Sequence, residues 1–133
     1  MAGLLTHLII SFVLFIIVLV ISRRFLYGFF IFIGQLIPDA IKFGVTGIKL
    51  WTASPNVIIR DSLFWKLEAL TSSYHTWVNL GLFIILTSLF LYSQNKLKKE
   101  HVQEISWSYL LLVIGVAIHL AIDLFIIETS YWI

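Results

Sequence analysis

His119 and Asp123 stand four residues apart in the last long apolar run of the chain, residues 105–127. Four residues is just over one helical turn, so the imidazole and the carboxylate project from one helix face, one above the other. Ionisable side chains inside a hydrocarbon-like segment are costly and mark functional sites by default. Three more residues of ligand or acid–base type, His7, Asp39 and His75, lie at the ends of other apolar runs. Three imidazoles and two carboxylates form a nitrogen–oxygen ligand set that suits Zn, with Mn or Fe as alternatives, better than Ca or Mg. With three or four protein ligands and an open position, such a metal lowers the pKa of bound water toward neutrality. The carboxylate left over, Asp39 or Asp123, would orient an imidazole or serve as the catalytic general base. Asn79, one turn beyond His75, and Glu128 are further polar candidates. His101 lies in a basic link and reads as a solvated residue. The bland reading of His119 and Asp123 is a hydrogen-bonded pair that glues helices together.

Composition puts these residues in a membrane. The 133 residues are 60% hydrophobic and 12% charged, whereas a soluble domain is about half apolar and about a quarter charged. This length holds one small helical bundle and no separate soluble domain. A net charge of +2, with the basic residues scattered, argues against nucleic acid as a partner. Without cysteine the chain has neither disulfides nor thiolate metal sites. The first apolar run reads as a retained helix: no Lys or Arg precedes it, and Arg23–Arg24 stand where a signal would need small residues for cleavage.

Hydropathy and breakers divide the chain into one all-α domain. Spanning helices are expected at about 4–22, 25–37, 75–93 and 105–127, against the roughly 20 residues that cross a bilayer core of about 30 Å. The second is short, and Pro38 is expected to end it. Gly44, Gly47 and Ser54–Pro55–Asn56 interrupt residues 40–70, through which Lys42, Lys49, Arg60, Asp61, Lys66 and Glu68 are dispersed. Ser54–Pro55 reads as an N-cap and a first-turn proline. Ile59, Leu63, Leu67 and Leu70 then recur at helical spacing. That pattern predicts an amphipathic helix over about 55–70, lying on the membrane surface or packed over the bundle. The expected architecture is an integral membrane four-helix bundle with an interfacial helix between its second and third spans.

Basic residues in short loops stay in the cytoplasm. The two tight connections hold Arg23–Arg24 and Lys96, Lys98 and Lys99, which predicts a multi-pass cell-membrane protein with both termini outside. Alternation of the spans then brings His7, Asp39, His75, His119 and Asp123 to one membrane face, whichever face that is. Trp77 and Trp132 would mark that face, and Tyr27, Tyr92 and Trp107 the other, as aromatic belts.

These residues resemble the membrane-bound metal-dependent hydrolases, a group that includes the LexA-binding, inner-membrane-associated hydrolases. Thr6–His7 is similar to that family's N-terminal Thr-His, and Leu36–Ile37–Pro38–Asp39 to its Leu-Pro-Asp. Tyr74–His75–Thr76 is similar to its Thr-His-Ser, and His119 to Asp123 to its His-x-x-x-Asp. The chain departs from the family at Ile41, where a second aspartate is common, and at Leu70–Thr71–Ser72, where His-Arg-Gly is common. The resemblance implies a small helical membrane protein with a divalent-metal site that hydrolyses a lipid-like substrate or another phosphoester.

Two other function classes compete with a hydrolase. A proton or ion transport component would use His119 and Asp123 as titrating groups, but Thr87, Ser88, Ser106, Ser108 and Tyr109 make a thin path to the opposite face. A non-catalytic membrane interaction protein would keep the fold after losing ligands. The topology is directly testable. A reporter enzyme that works only outside the cytoplasm should be active when fused at either terminus and silent when inserted within residues 94–104; the reverse pattern would invert the orientation.

Overall fold

The computed structural model describes residues 4–125. Residues 126–127 of the last expected helix, and with them Glu128 and Trp132, lie outside the described residues. Six helices follow one another: α1 Leu4–Ser22, α2 Phe25–Leu50, α3 Pro55–Ile58, α4 Ser62–Thr71, α5 Tyr74–Ser93 and α6 Lys99–Phe125. Four of them, α1, α2, α5 and α6, are long and apolar enough to cross a membrane. Their outward faces are apolar as well: Ile9, Phe12 and Val20 of α1 and Phe83, Leu86 and Phe90 of α5 are all exposed.

Pro38 does not end the second helix. It sits inside α2, which runs on for another three turns to Leu50. A proline frees the carbonyl four residues back, here that of Gly34. In a membrane helix, packing from neighbours makes such a break tolerable. Gly34 lies directly against the backbone of α6 at Leu112, and Pro38 itself is fully buried. Beyond the proline, Asp39, Lys42 and Thr46 fall on one helical face and are buried, so tertiary contacts hold the extension. The helix closes at Trp51, whose backbone is left-handed with φ of 52°. The amide of the next residue, Thr52, donates to the Gly47 carbonyl at 3.1 Å.

The segment between the second and third spans is helical, but in two pieces rather than one. Pro55 opens α3 as expected, although the Ser54 side chain makes no capping bond. The break comes at Asp61. Its carboxylate accepts from the Leu63 amide at 2.8 Å and starts a new helix, α4, the local competition by which Asp favours caps over helix interiors. Lys49 Nζ lies 2.8 Å from the same carboxylate, and that ammonium holds the Asp61 carboxyl below its usual range. Helix α4 packs on the C-terminal half of α2, with Phe64 fully buried and edge-on to Phe43 at 5.0 Å between ring centroids.

The last helix also begins earlier than expected, at Lys99 rather than residue 105. Apolar patterning marks only the part inside the hydrocarbon. The preceding turn, Lys99 to Glu104, is made of polar residues and Val102, among them Lys, Gln and Glu, which are good helix formers in a polar setting.

α2 is the central helix, packed against α1, α4 and α6, while α5 reaches the bundle through α6 and α4. Trp77, Tyr109, Leu112 and Val116 form the apolar core between α5 and α6. The Tyr109 hydroxyl donates to the Trp77 carbonyl, and Trp77 Nε1 donates to the Thr71 carbonyl at 2.8 Å, which ties the α4–α5 corner. The closest helix approach is between α2 and α6. A Cβ built on Gly115 would lie 2.5 Å from the Ile31 carbonyl oxygen and 3.0 Å from Gly34 Cα, both backbone atoms that cannot step aside. Small residues at such a crossing let two backbones meet. Gly115→Ala should therefore destabilise the folded protein by about 1–3 kcal/mol, the usual range for overpacking. Gly44→Ala should be neutral or stabilising by up to about 1 kcal/mol, because a Cβ there meets nothing within 4 Å. Unfolding in mixed micelles followed by circular dichroism separates the two; equal effects would remove the crossing from the account.

Candidate metal centre

Helix lengths set the depth of the candidate residues. Glu104 of α6 pairs with Arg24 at the α1–α2 turn, Nη1 to Oε1 3.7 Å, so these positions mark one end of the bundle. His7 precedes Ser22 by 15 residues, Asp39 follows Phe25 by 14, and His119 follows Glu104 by 15. At 1.5 Å per residue, all three lie about 21–22 Å from that end. The α2–α6 crossing at Gly34 and Gly115 then fixes their sideways approach, because Asp39 and His119 come one turn after these glycines.

The two histidines come from opposite ends of the sequence and are fully buried. Their rings stack, with centroids 4.1 Å apart and planes at 25°. Both turn Nε2 toward Asp123: His7 Nε2 is 3.3 Å from Oδ1, and His119 Nε2 is 3.5 Å from Oδ2. His119 Nε2 is also 3.7 Å from Asp39 Oδ1. It has no hydrogen-bond partner in the protein despite complete burial, and neither imidazole's Nδ1 has one. One ligand atom from each of His7, His119 and Asp123 lies within 4.8 Å of the others.

Lys42 stands beside this group, and its type and position alone gave no sign of a role. Its side chain is 2% exposed, with Nζ 2.8 Å from Asp39 Oδ1 and 2.7 Å from Glu68 Oε2 of α4. A lysine in hydrocarbon is tolerated only when paired, and here two carboxylates flank it. The signal lies in spacing: Gln35, Asp39, Lys42 and Thr46 recur at intervals of four, three and four, one polar stripe along α2, and all are buried. The amide atoms of Gln35 and the hydroxyl of Thr46 have no protein hydrogen-bond partner.

His75 is not brought into the group, although it lies at the expected end of its span. It is exposed on the first turn of α5. Trp77, two residues on, turns inward and is buried; two residues are about 200° of helical rotation, so His75 must face away. Asn79 stands the same angle beyond Trp77 and is exposed for the same reason. In addition, α5 packs on α6 and α4 rather than on α1. His101 is exposed, as its place in the basic link suggested.

No family model, curated protein or solved structure matches this chain.

With three carboxylates and one ammonium, the ionised side chains carry formal charge −2 in a buried setting, which a dication would cancel. The ion-paired half of this arrangement can be tested by itself. Lys42→Met leaves Asp39 and Glu68 without their cation and should cost about 3–5 kcal/mol of stability, as expected when one partner of a buried pair is removed. The triple variant Lys42→Met/Asp39→Asn/Glu68→Gln, with no charge left to compensate, should recover most of that loss. A single variant as stable as wild type in denaturant titration would show that Lys42 is solvated.

Proposed function

We propose that this protein is a membrane-embedded, divalent-metal-dependent hydrolase acting on a phosphoester or lipid-like substrate. One observation carries the reading. Two buried imidazole nitrogens converge on one carboxylate at separations of 3.3 and 3.5 Å, with a second carboxylate at 3.7 Å. A tetrahedron with metal–ligand bonds of about 2.0–2.1 Å has edges of about 3.3–3.4 Å; the two nitrogen–oxygen separations to Asp123 are close to that, and the ligand atoms of His7, His119 and Asp123 all lie within 4.8 Å of one another. His7, His119 and Asp123 are the proposed ligands. Zn fits best, with Mn or Fe as alternatives. A metal in this setting supplies an activated water. Asp39 is proposed as the catalytic base that takes its proton, since Lys42 holds that carboxylate in place beside His119 rather than leaving it free to rotate. Helix α4 lies beside the site, with Glu68 on Lys42.

The exposure of His75 favours a second reading, a non-catalytic membrane interaction protein that retains the fold with fewer ligands. A transport role gains Gln35 and Thr46 as polar neighbours of Asp39, but toward the Arg24 end the buried face of α2 continues with Ile31 and Gly28. That stretch of α2 offers a proton no polar side chain, and the buried hydroxyls of Ser11, Ser88 and Ser108 on the other helices make only a thin path.

Metal analysis of protein purified after supplementation with Zn, Mn and Fe tests the proposal. About one equivalent per chain is expected in wild type and in His75→Ala, and little in His7→Ala or His119→Ala/Asp123→Ala. A wild-type sample without metal, indistinguishable from the double variant, ends the hydrolase reading. If metal is bound, Asp39→Asn should keep it while lowering kcat for phosphoester hydrolysis by about 10²–10⁴, the usual contribution of a general base. Metal without any hydrolysis would favour the interaction protein.

A further inference from the structure

The opposite end of the bundle carries a second site of different chemistry. A cleft of about 740 Å³ opens where α1 ends and α2 and α6 begin, lined among others by Arg24, Tyr27, Glu100, Glu104 and Trp107. That volume lies within the range of about 300–1,000 Å³ typical of small-molecule sites. Arg24 is held in place from two sides. Its guanidinium carbon lies 5.3 Å from the Tyr27 ring centroid, and Nη1 donates to the Tyr27 hydroxyl at 3.3 Å and lies 3.7 Å from Glu104. A guanidinium has five N–H donors, so most of them stay available. Glu100 faces the cleft and has no ion-pair partner among the described residues. The charged lining is therefore one cation and two carboxylates.

A separate apolar cavity of about 400 Å³ adjoins this cleft. It runs between α2, α5 and α6, is lined by residues such as Leu26, Phe30, Ile84, Ile105 and Tyr109, and shares Glu104 with the cleft. A charged cleft and an apolar cavity that meet at Glu104 offer the two surfaces an amphiphile needs. The depth agrees, because the apolar run of α1 stops at Ser22 and Tyr27 and Trp107 are of the type that lines the membrane interface.

We propose that the cleft binds the head group of a zwitterionic aminophospholipid, phosphatidylethanolamine, with its phosphate on Arg24, its ammonium on Glu100 and Glu104, and an acyl chain in the adjoining cavity. The surplus carboxylate selects the zwitterion. An anionic lipid would satisfy Arg24 but leave both carboxylates facing its negative charge, whereas the ethanolamine ammonium supplies charge-assisted hydrogen bonds to them near the Trp107 ring, which attracts cations. The cleft lies about 22 Å from the His7–His119–Asp123 group by helix rise, so this site does not depend on the metal proposal.

Native mass spectrometry of the full chain tests it, with phosphatidylethanolamine, phosphatidylglycerol and diacylglycerol of identical acyl chains added to the detergent-solubilised protein. Phosphatidylethanolamine should be retained about tenfold better than diacylglycerol, a difference equivalent to about 1.4 kcal/mol. Arg24→Gln should bring it down to the diacylglycerol level. Glu100→Gln/Glu104→Gln should weaken phosphatidylethanolamine and strengthen phosphatidylglycerol, because the lining changes from net negative to net positive. Arg24 and Glu100 are exposed and Glu104 is half-buried, so the variants should fold, as unchanged circular dichroism would confirm. Equal retention of phosphatidylethanolamine and diacylglycerol by wild type overturns the proposal, as does a double variant that keeps the wild-type preference.

Discussion

The buried polar group of this protein depends on the close crossing of α2 and α6. Gly34 and Gly115 bring the two backbones together, and the next turn of each helix carries a group that would be prohibitive in hydrocarbon alone. Asp39 and His119 are separated by 3.7 Å only because no side chain stands between the helices one turn earlier. In a bilayer, helices gain little hydrophobic free energy by associating, so close packing and polar contacts must hold them together. The crossing supplies the first and positions the second. It also stabilises α2 through Pro38, whose missing hydrogen bond falls on the turn packed against α6.

From that crossing, charge compensation explains the remaining architecture. Asp39 needs a cation and has Lys42, one turn further along α2. Lys42 in turn reaches Glu68, which fixes α4 against α2. Helix α4 is short, and an isolated helix of its ten residues would be marginal in water; the Asp61 cap, the buried Phe64 and the Lys42–Glu68 contact hold it where it is. His7 arrives from α1 to stack on His119 and to meet Asp123.

The two ends of the bundle are thus chemically distinct. One gathers buried imidazoles and carboxylates, a set suited to a small hard or borderline cation. The other has an open, charged cleft at the level of the aromatic residues, next to an apolar cavity that shares Glu104 with it. The lipid-like substrate proposed for the first end and the head group proposed for the second are compatible with one membrane protein, and the two proposals rest on different residues.

Much of this was legible in the residues themselves. Three apolar runs of spanning length and a shorter one, the turn at Arg23–Arg24 and the alternation of spans determined an all-α membrane bundle. They also set His7, Asp39 and His119 at one depth, because a helix rises by a fixed amount per residue. Rotation about each helix axis was not legible. His75 has the right depth and the wrong azimuth, since the inward turn of Trp77 two residues later forces it outward. Lys42 looked like one more charge in an irregular segment because Pro38 and the following glycines argued for a break. Local propensity weighs a breaker by the bonds it removes, whereas the folded chain also counts what packs beside it. The sequence by itself therefore determined the spans and the depth of the polar residues, through hydrophobic thickness and helix rise. Only the tertiary structure decided which of those residues meet, because that depends on how closely two glycines let neighbouring backbones approach.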